Sequence, residues 1–212
     1  MWIYNGEFMN EKTGLAFVYD IIHRNPNDEK ETHFQIHNLI PDETIKLFLG
    51  CVFTPNDIYT TYKDNWNNTY TSTFASYKRT MYYYMYVSFM KTKREVKKTD
   101  TIDNNWDEFK EITSEDVNYS YRNYLNRPTL DKKTNKIIFS GARDVVVFKK
   151  RTTLTGIFLM TNNNTSPNPV IGYNPNNYCH HVLISEAMFP KPINMEINGT
   201  INVSCGCIVT SA

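Results

Sequence analysis

Glycine is scarce in this 212-residue chain: there are 8 in all, and they are nowhere clustered. That scarcity excludes a glycine-rich phosphate cradle, and no G-x-S-x-G nucleophile elbow is present. H-E-x-x-H and C-x-x-C are missing as well, so the common zinc-hydrolase and redox signatures drop out. Charge of one sign is also lacking, since 23 basic residues stand against 22 acidic ones for a net +1. A protein whose whole surface coats nucleic acid carries a far larger basic excess. No apolar run approaches the roughly 18 residues of a membrane-spanning helix. Met1-Trp2-Ile3-Tyr4-Asn5 does not open like a secretory signal. The expectation is a soluble, non-enzymatic protein without a membrane partner. No repeat of 20–50 residues is evident, which disfavours propellers and solenoids.

Cysteine is rare too. Cys51, Cys205 and Cys207 fall on apolar positions of alternating segments and read as buried thiols of a reducing compartment, not as a disulfide frame. Cys205-x-Cys207 lacks a matching His or Cys pair for zinc. His33 with His37, and Cys179 with His180 and His181, have the atoms for a metal site or a thiol nucleophile. Surface or turn histidines are the simpler reading, because strand neighbours point opposite ways. The acidic stretch Asp100, Asp103, Asp107, Glu108, Glu111, Glu115 and Asp116 reads as a solvated loop and helix face, with calcium at a subunit contact as the alternative. No catalytic residue, metal or cofactor is assigned. Asn-x-Ser/Thr triplets at Asn67, Asn118, Asn163, Asn164, Asn198 and Asn202 are what so much Asn and Thr gives by chance; two of them fall within the last alternating stretch.

What the chain does have is aromatics, with 15 Tyr and 12 Phe, and strand patterning along its whole length. From Ile193 to Cys207, alternation predicts a single long C-terminal strand with Ile193, Met195, Ile197, Gly199, Ile201, Val203, Cys205 and Cys207 on one face. Leu15–Ile22, His33–Ile40, Ile45–Phe53, Lys136–Phe139, Val145–Lys149, Gly156–Met160 and His181–Ser185 read as further strands. Thr80–Lys91, apolar or aromatic on both faces, reads as a central strand covered twice. Helical signal is thin: Asp103 is placed to cap a short helix with Trp106, Phe109 and Ile112 inward. The predicted fold is all-β, an eight-stranded antiparallel jelly-roll sandwich over residues 1–212 as a single domain. It carries long loops at about 54–79, 92–135 and 162–178 and at most one short helix.

Two basic clusters close strands. Lys91, Lys93, Arg94, Lys97 and Lys98 follow the Tyr-rich segment, and Lys149, Lys150 and Arg151 follow Val145–Val147. On one surface they would make a phosphate-binding patch with tyrosine rings near for base stacking. Ordinary surface charge at strand ends is the competing reading. Trp66 and Tyr62, flanked by Asn65, Asn67 and Asn68, would be the natural site of a different function, a jelly-roll sugar-binding module.

The run Met81-Tyr82-Tyr83-Tyr84-Met85-Tyr86-Val87-Ser88-Phe89-Met90-Lys91, ending in alternating Lys and Arg, resembles a strand region of circovirus-like capsid proteins. Ile102-Asp103-Asn104-Asn105-Trp106, Val117-Asn118-Tyr119-Ser120-Tyr121 and Arg127-Pro128-Thr129-Leu130-Asp131 are similar to that family's middle loops, and the closing alternating strand to its last strand. The resemblance spans roughly residues 80 to 212. It implies a structural virion protein with a single jelly roll, assembled inside the host cell as a 60-subunit icosahedral homo-oligomer enclosing a nucleic-acid genome, single-stranded DNA in that family, on its inner surface. Such capsids usually carry an Arg-rich N-terminal arm, whereas this sequence starts Met-Trp-Ile-Tyr-Asn-Gly-Glu; if it is complete, packaging is expected to rely on the basic clusters or to be weak, and assembly not to need nucleic acid. A viral occlusion or crystal matrix protein would share the same fold and composition.

Overall fold

Long alternating segments pair with one another across the whole chain, and that pairing sets the architecture. In a computed structural model of the protein, the described residues are 3–4, 7–8, 15–63, 67, 69–83, 85–101, 107–118, 121–125, 127–133, 136–139, 145–162 and 181–209. Most of them are in antiparallel strands.

One sheet contains β3 (Leu15–Arg24), β4 (Thr32–His37), β9 (Thr129–Asp131), β10 (Lys136–Phe139), β11 (Val146–Val147) and β14 (Thr200–Val209). Its order is β4-β3-β14-β10-β9, with β11 also on β14. The second sheet runs β13-β12-β7-β8, built from β7 (Tyr86–Met90), β8 (Asn123–Tyr124), β12 (Thr152–Asn162) and β13 (His181–Met195). Two small hairpins stand apart: β1 (Ile3–Tyr4) with β2 (Glu7–Phe8), and β5 (Ile58–Lys63) with β6 (Thr69–Thr73).

Alternation is obeyed where the sheets face each other. In β14, Ile201, Val203, Cys205 and Cys207 are buried and Asn202, Ser204 and Gly206 half-exposed. Tyr19 and Phe17 of β3 lie opposite Cys205 and Cys207. These residues share one core with Val87, Phe89, Ile157, Leu159, Val182 and Ile184 of the other sheet. The Tyr19 hydroxyl crosses this core to donate to the Ser185 carbonyl at 3.2 Å, so the two layers are also joined by a buried hydrogen bond.

The predicted single C-terminal strand is in fact two. β13 ends at Met195, the chain turns through Glu196–Gly199, and β14 begins at Thr200 in the opposite sheet. Asn198 has φ 64°, and the Gly199 amide donates back to the Glu196 carbonyl at 2.9 Å. Asn-Gly is a strong turn dipeptide for this reason, and it interrupts an alternation that continues in register on both sides. Asn25 braces the corner. Its Oδ1 accepts from the Glu196 amide, and its Nδ2 donates to the Asn194 carbonyl. A Cβ on Gly199 would lie 2.6 Å from that Oδ1.

Two helices stand where strands or a loop were expected. Ile45–Phe53 belongs to α1 (Asp42–Phe53), and α2 (Phe74–Tyr83) takes up the end of the 54–79 loop and the start of the Tyr-rich run. The limit of one short helix is therefore exceeded, and the 54–79 stretch also holds the β5–β6 hairpin. In α1 the residues that alternate at a spacing of two also recur at a spacing of four. On a helix that separates them onto opposite sides, Leu47 and Cys51 inward and Ile45, Leu49 and Phe53 outward. Pro41 at the N-cap and the acidic Asp42 and Glu43 in the first turn favour the helix. The Thr44 hydroxyl, fully buried, lies 2.6 Å from the Leu183 carbonyl and 3.0 Å from that of Ile184, where β13 bulges against β12. Phe74 and Tyr77 of α2 face inward at a spacing of three and help close the core. Gly50 lets the helices touch, since a Cβ there would meet the Phe74 ring at 2.2 Å.

The predicted helix from Asp103 is a single turn at 107–109 among the described residues, with Phe109 and Ile112 buried; Asp103 and Trp106 lie outside them. The 92–135 loop includes β8 and β9. The loop at 162–178 lies outside the described residues beyond Asn162.

Candidate nucleic-acid interface

β7 is buried at all five positions, as the expectation of a twice-covered strand requires. Its inner face meets the core. Its outer face, with those of β12 and β13, carries Tyr86, Met90, Phe158, Met160 and Leu183 in a second apolar cluster that Phe109 closes from above. The described stretches 91–101, 107–118 and 121–125 cover this outer face and also satisfy the free edge of β7. The Ile112 amide donates to the Phe89 carbonyl, the Lys91 amide to Lys110, and the Leu125 amide to Met85.

Two arginines fasten this cover. Arg94 is 6% exposed and stacks over the Phe109 ring at 4.9 Å. Its guanidinium contacts Asp100 at 2.8 Å and Glu108 at 3.3 Å, and reaches Glu186, which is fully buried on β13. Arg122 makes a paired contact with Glu111, Nε to Oε1 at 2.9 Å and Nη2 to Oε2 at 2.8 Å, and lies over Tyr86. Phe109 stacks on Phe158 with centroids 5.0 Å apart. Burial, with the neighbouring Asp100 carboxyl, pushes Glu186 up to about 8 against the opposing pull of Arg94. One guanidinium thus serves two buried carboxyls, and burial favours the protonated form of Glu186. Burial also raises Glu111, by more than Arg122 offsets.

The eight basic residues singled out in the sequence separate accordingly. Arg94 is part of this buried layer and is not at the surface. Lys91 and Lys150, from the two clusters, converge on one carboxylate: Asp116 receives Lys91 at 2.8 Å and Lys150 at 3.1 Å. Burial alone would raise Asp116, but the Lys91 ammonium, the Thr113 amide and Lys150 together hold it below the usual carboxylate range. The Lys149 amide donates to the Asp116 carbonyl, which fixes the second cluster against the first. Arg151 pairs with Glu196 at 2.7 Å and Lys97 with Glu95 at 3.5 Å, both at the exposed surface. Lys93, Lys98 and Lys149 are exposed and make no ion pair among the described residues.

Several carboxylates of the acidic stretch are engaged with these cations: Asp100 and Glu108 with Arg94, Glu111 with Arg122, and Asp116 with the lysines. Glu115 lies 4.0 Å from Lys150, Asp107 is exposed and makes no ion pair among the described residues, and Asp103 lies outside them. No group of three His, Cys, Asp or Glu placed to hold a metal occurs among the described residues. His33 pairs with Asp20 at the surface. Cys51, Cys205 and Cys207 are buried free thiols, with burial pushing Cys207 up to about 12; Cys179, His180 and the side chain of His181 lie outside the described residues. So do Asn65, Trp66, Asn68 and the side chain of Tyr62, the proposed sugar site. No helix among the described residues is long and apolar enough to cross a membrane.

Sequence reasoning missed the buried Arg–carboxyl layer, although one signal was present. Glu186 is the lone charge in Val182-Leu183-Ile184-Ser185-Glu186-Ala187-Met188-Phe189, and a carboxyl in such a strand needs a buried partner. Which arginine supplies it is a long-range fact. Compared with known proteins, the chain matches no family model, no curated protein and no solved structure.

Proposed function

We propose that this chain is a structural capsid protein, a jelly-roll-type sandwich that assembles into a small icosahedral shell around a single-stranded nucleic-acid genome. The observation that carries the reading is the convergence of the two basic clusters. Lys91 and Lys150 share Asp116, and around them stand the exposed Lys93, Lys149 and Arg151. With Arg151 paired to Glu196, four lysines (Lys91, Lys93, Lys149 and Lys150) stand against the shared Asp116 and the nearby Glu115, a small local basic excess suited to holding a phosphate backbone. The pairing of the first long strand with the last, β3 with β14, is the long-range closure that a Greek-key sandwich uses. Strands β12 and β13, consecutive and paired within one sheet, are where this sandwich departs from two interlocked Greek keys.

Light scattering behind size exclusion, with negative-stain imaging of the leading peak, tests the proposal. A closed shell of sixty 24.9-kDa copies gives a particle of about 1.5 MDa. A monomer or dimer across salt and pH overturns it.

A further inference from the structure

α1 has two apolar sides, and only one is covered. Thr44, Leu47 and Cys51 are buried, whereas Ile45, Leu49, Val52 and Phe53 are 39%, 53%, 69% and 75% exposed. The four exposed residues stand at i, i+4, i+7 and i+8, a continuous stripe down the outer face of the helix. A surface helix ordinarily turns charge outward. Here the rim carries one charge of each sign, Asp42 and Lys46. Beside the stripe runs a groove of about 500 Å³ lined by Ile45, Lys46, Leu49, Gly50, Phe53 and Phe74.

We propose that this face is a contact between copies of the chain, formed by α1 packing antiparallel on α1 of a second copy about a twofold axis at Leu49. The choice of a second copy as occupant rests on the self-assembling reading above, and three features of the face agree with it. At those exposures the four side chains present about 500 Å² of surface, so two such faces bury about 1,000 Å², the lower size limit of a specific contact. The face is self-complementary: Leu49 is the midpoint between Ile45 and Phe53, so an axis there seats each Phe53 against the Ile45 end of its mate's groove. The balanced rim of Asp42 and Lys46 sets no net like charge against itself. A contact of this size is weak alone and suits one of several interfaces in a larger assembly.

The test uses the full chain. Sedimentation and light scattering are followed over about three decades of concentration for wild type, Leu49→Asp and Phe53→Asp, with circular dichroism and melting to confirm folding. Because both positions are exposed, the variants should fold and melt as wild type does. The proposal expects wild-type association and a shift of its midpoint by at least about tenfold in each variant. In a Cys179→Ser background, Leu49→Cys should give a covalent dimer on mild oxidation, and Glu29→Cys, exposed elsewhere, should not. If wild type assembles and both Asp variants assemble equally well, the α1 contact is wrong while the capsid reading stands. If wild type stops at a dimer that the variants abolish, the contact is right and the capsid reading is wrong. A wild type that is monomeric throughout, with no Leu49→Cys dimer, overturns both.

Discussion

The two faces of the β13-β12-β7-β8 sheet are both dry, but different chemistry keeps them so. The inner face meets hydrocarbon and aromatic side chains from the opposite sheet and the two helices, and its polar links include the neutral hydroxyls of Tyr19, at Ser185, and of Thr44, at the Leu183 and Ile184 carbonyls. The outer face is covered by a segment that is polar in sequence, and it is closed by Phe109 and by two arginines, each locked to a carboxyl. A sheet can therefore be sealed by a loop, provided the loop brings cations for any carboxyl it buries and aromatic area for the strands beneath it. The inner seal is general and tolerates exchange of similar side chains. The outer seal depends on particular pairs, so its failures should be larger and more local.

Removing one partner of the buried pair gives the largest effect expected. Arg94→Ala leaves Glu186 and Asp100 buried without their cation, and should cost about 3–5 kcal/mol in chemical denaturation. Proteolytic cutting within residues 91–125 should appear well before global unfolding. If the variant instead loses less than about 1 kcal/mol, the outer face is not held by its ion pairs.

Distortion at the sheet-to-sheet corner comes next. Gly199→Ala places a methyl against Asn25 Oδ1 and the Glu196 carbonyl and should lower stability by about 1–3 kcal/mol. A smaller loss would show that Asn25 swings away freely.

The protonation of Glu186 gives a graded effect. Its pKa is raised from an ordinary 4.5 to about 8 in the folded protein, so the folded state binds a proton that the unfolded state has released. Stability from this group is full below about pH 4.5, falls as pH rises, and is gone once pH passes about 8. Glu186→Gln, which mimics the protonated form, should flatten the decline in melting temperature between pH 6 and 9. Parallel curves for the two proteins would locate the proton elsewhere.

The smallest stability effect belongs to the exposed lysines. Lys93→Ala with Lys149→Ala should change stability by less than about 0.5 kcal/mol. The same pair should reduce the salt slope for single-stranded nucleic acid by roughly one or two units. An unchanged slope would remove these lysines from the interface.

How much of this was legible in the sequence follows from which signals are local. β4 and β14 were legible because alternation of period two and burial on one face are the same fact; β3 was legible from the compact apolar run Leu15–Ile22, and β10 as a short strand at Lys136–Phe139. α1 was misread because the apolar spacing of Ile45, Leu47, Leu49, Cys51 and Phe53 satisfies a strand and a two-sided helix equally; Pro41, Asp42 and Glu43 favoured the helix, and Thr44 at the β13 bulge fixes it there. The break at Asn198-Gly199 was legible in principle, but the continuing alternation masked it. At the candidate interface, the sequence placed two basic clusters at strand ends and could not tell that Arg94 turns inward while Lys91 and Lys150 meet. That depends on Glu186 and Asp116, which are distant in sequence and contribute no periodicity. Glu186 alone announced that a cation was needed.

Copies of this chain are proposed to close around nucleic acid. The most direct measurement is nuclease challenge of the purified assembly, with particle mass and protected nucleic acid read together. The expected result is a particle of about 1.5 MDa whose nucleic acid survives digestion and is single-stranded. A chain that stays small at every salt concentration, or an assembly whose nucleic acid is fully digested, would contradict it.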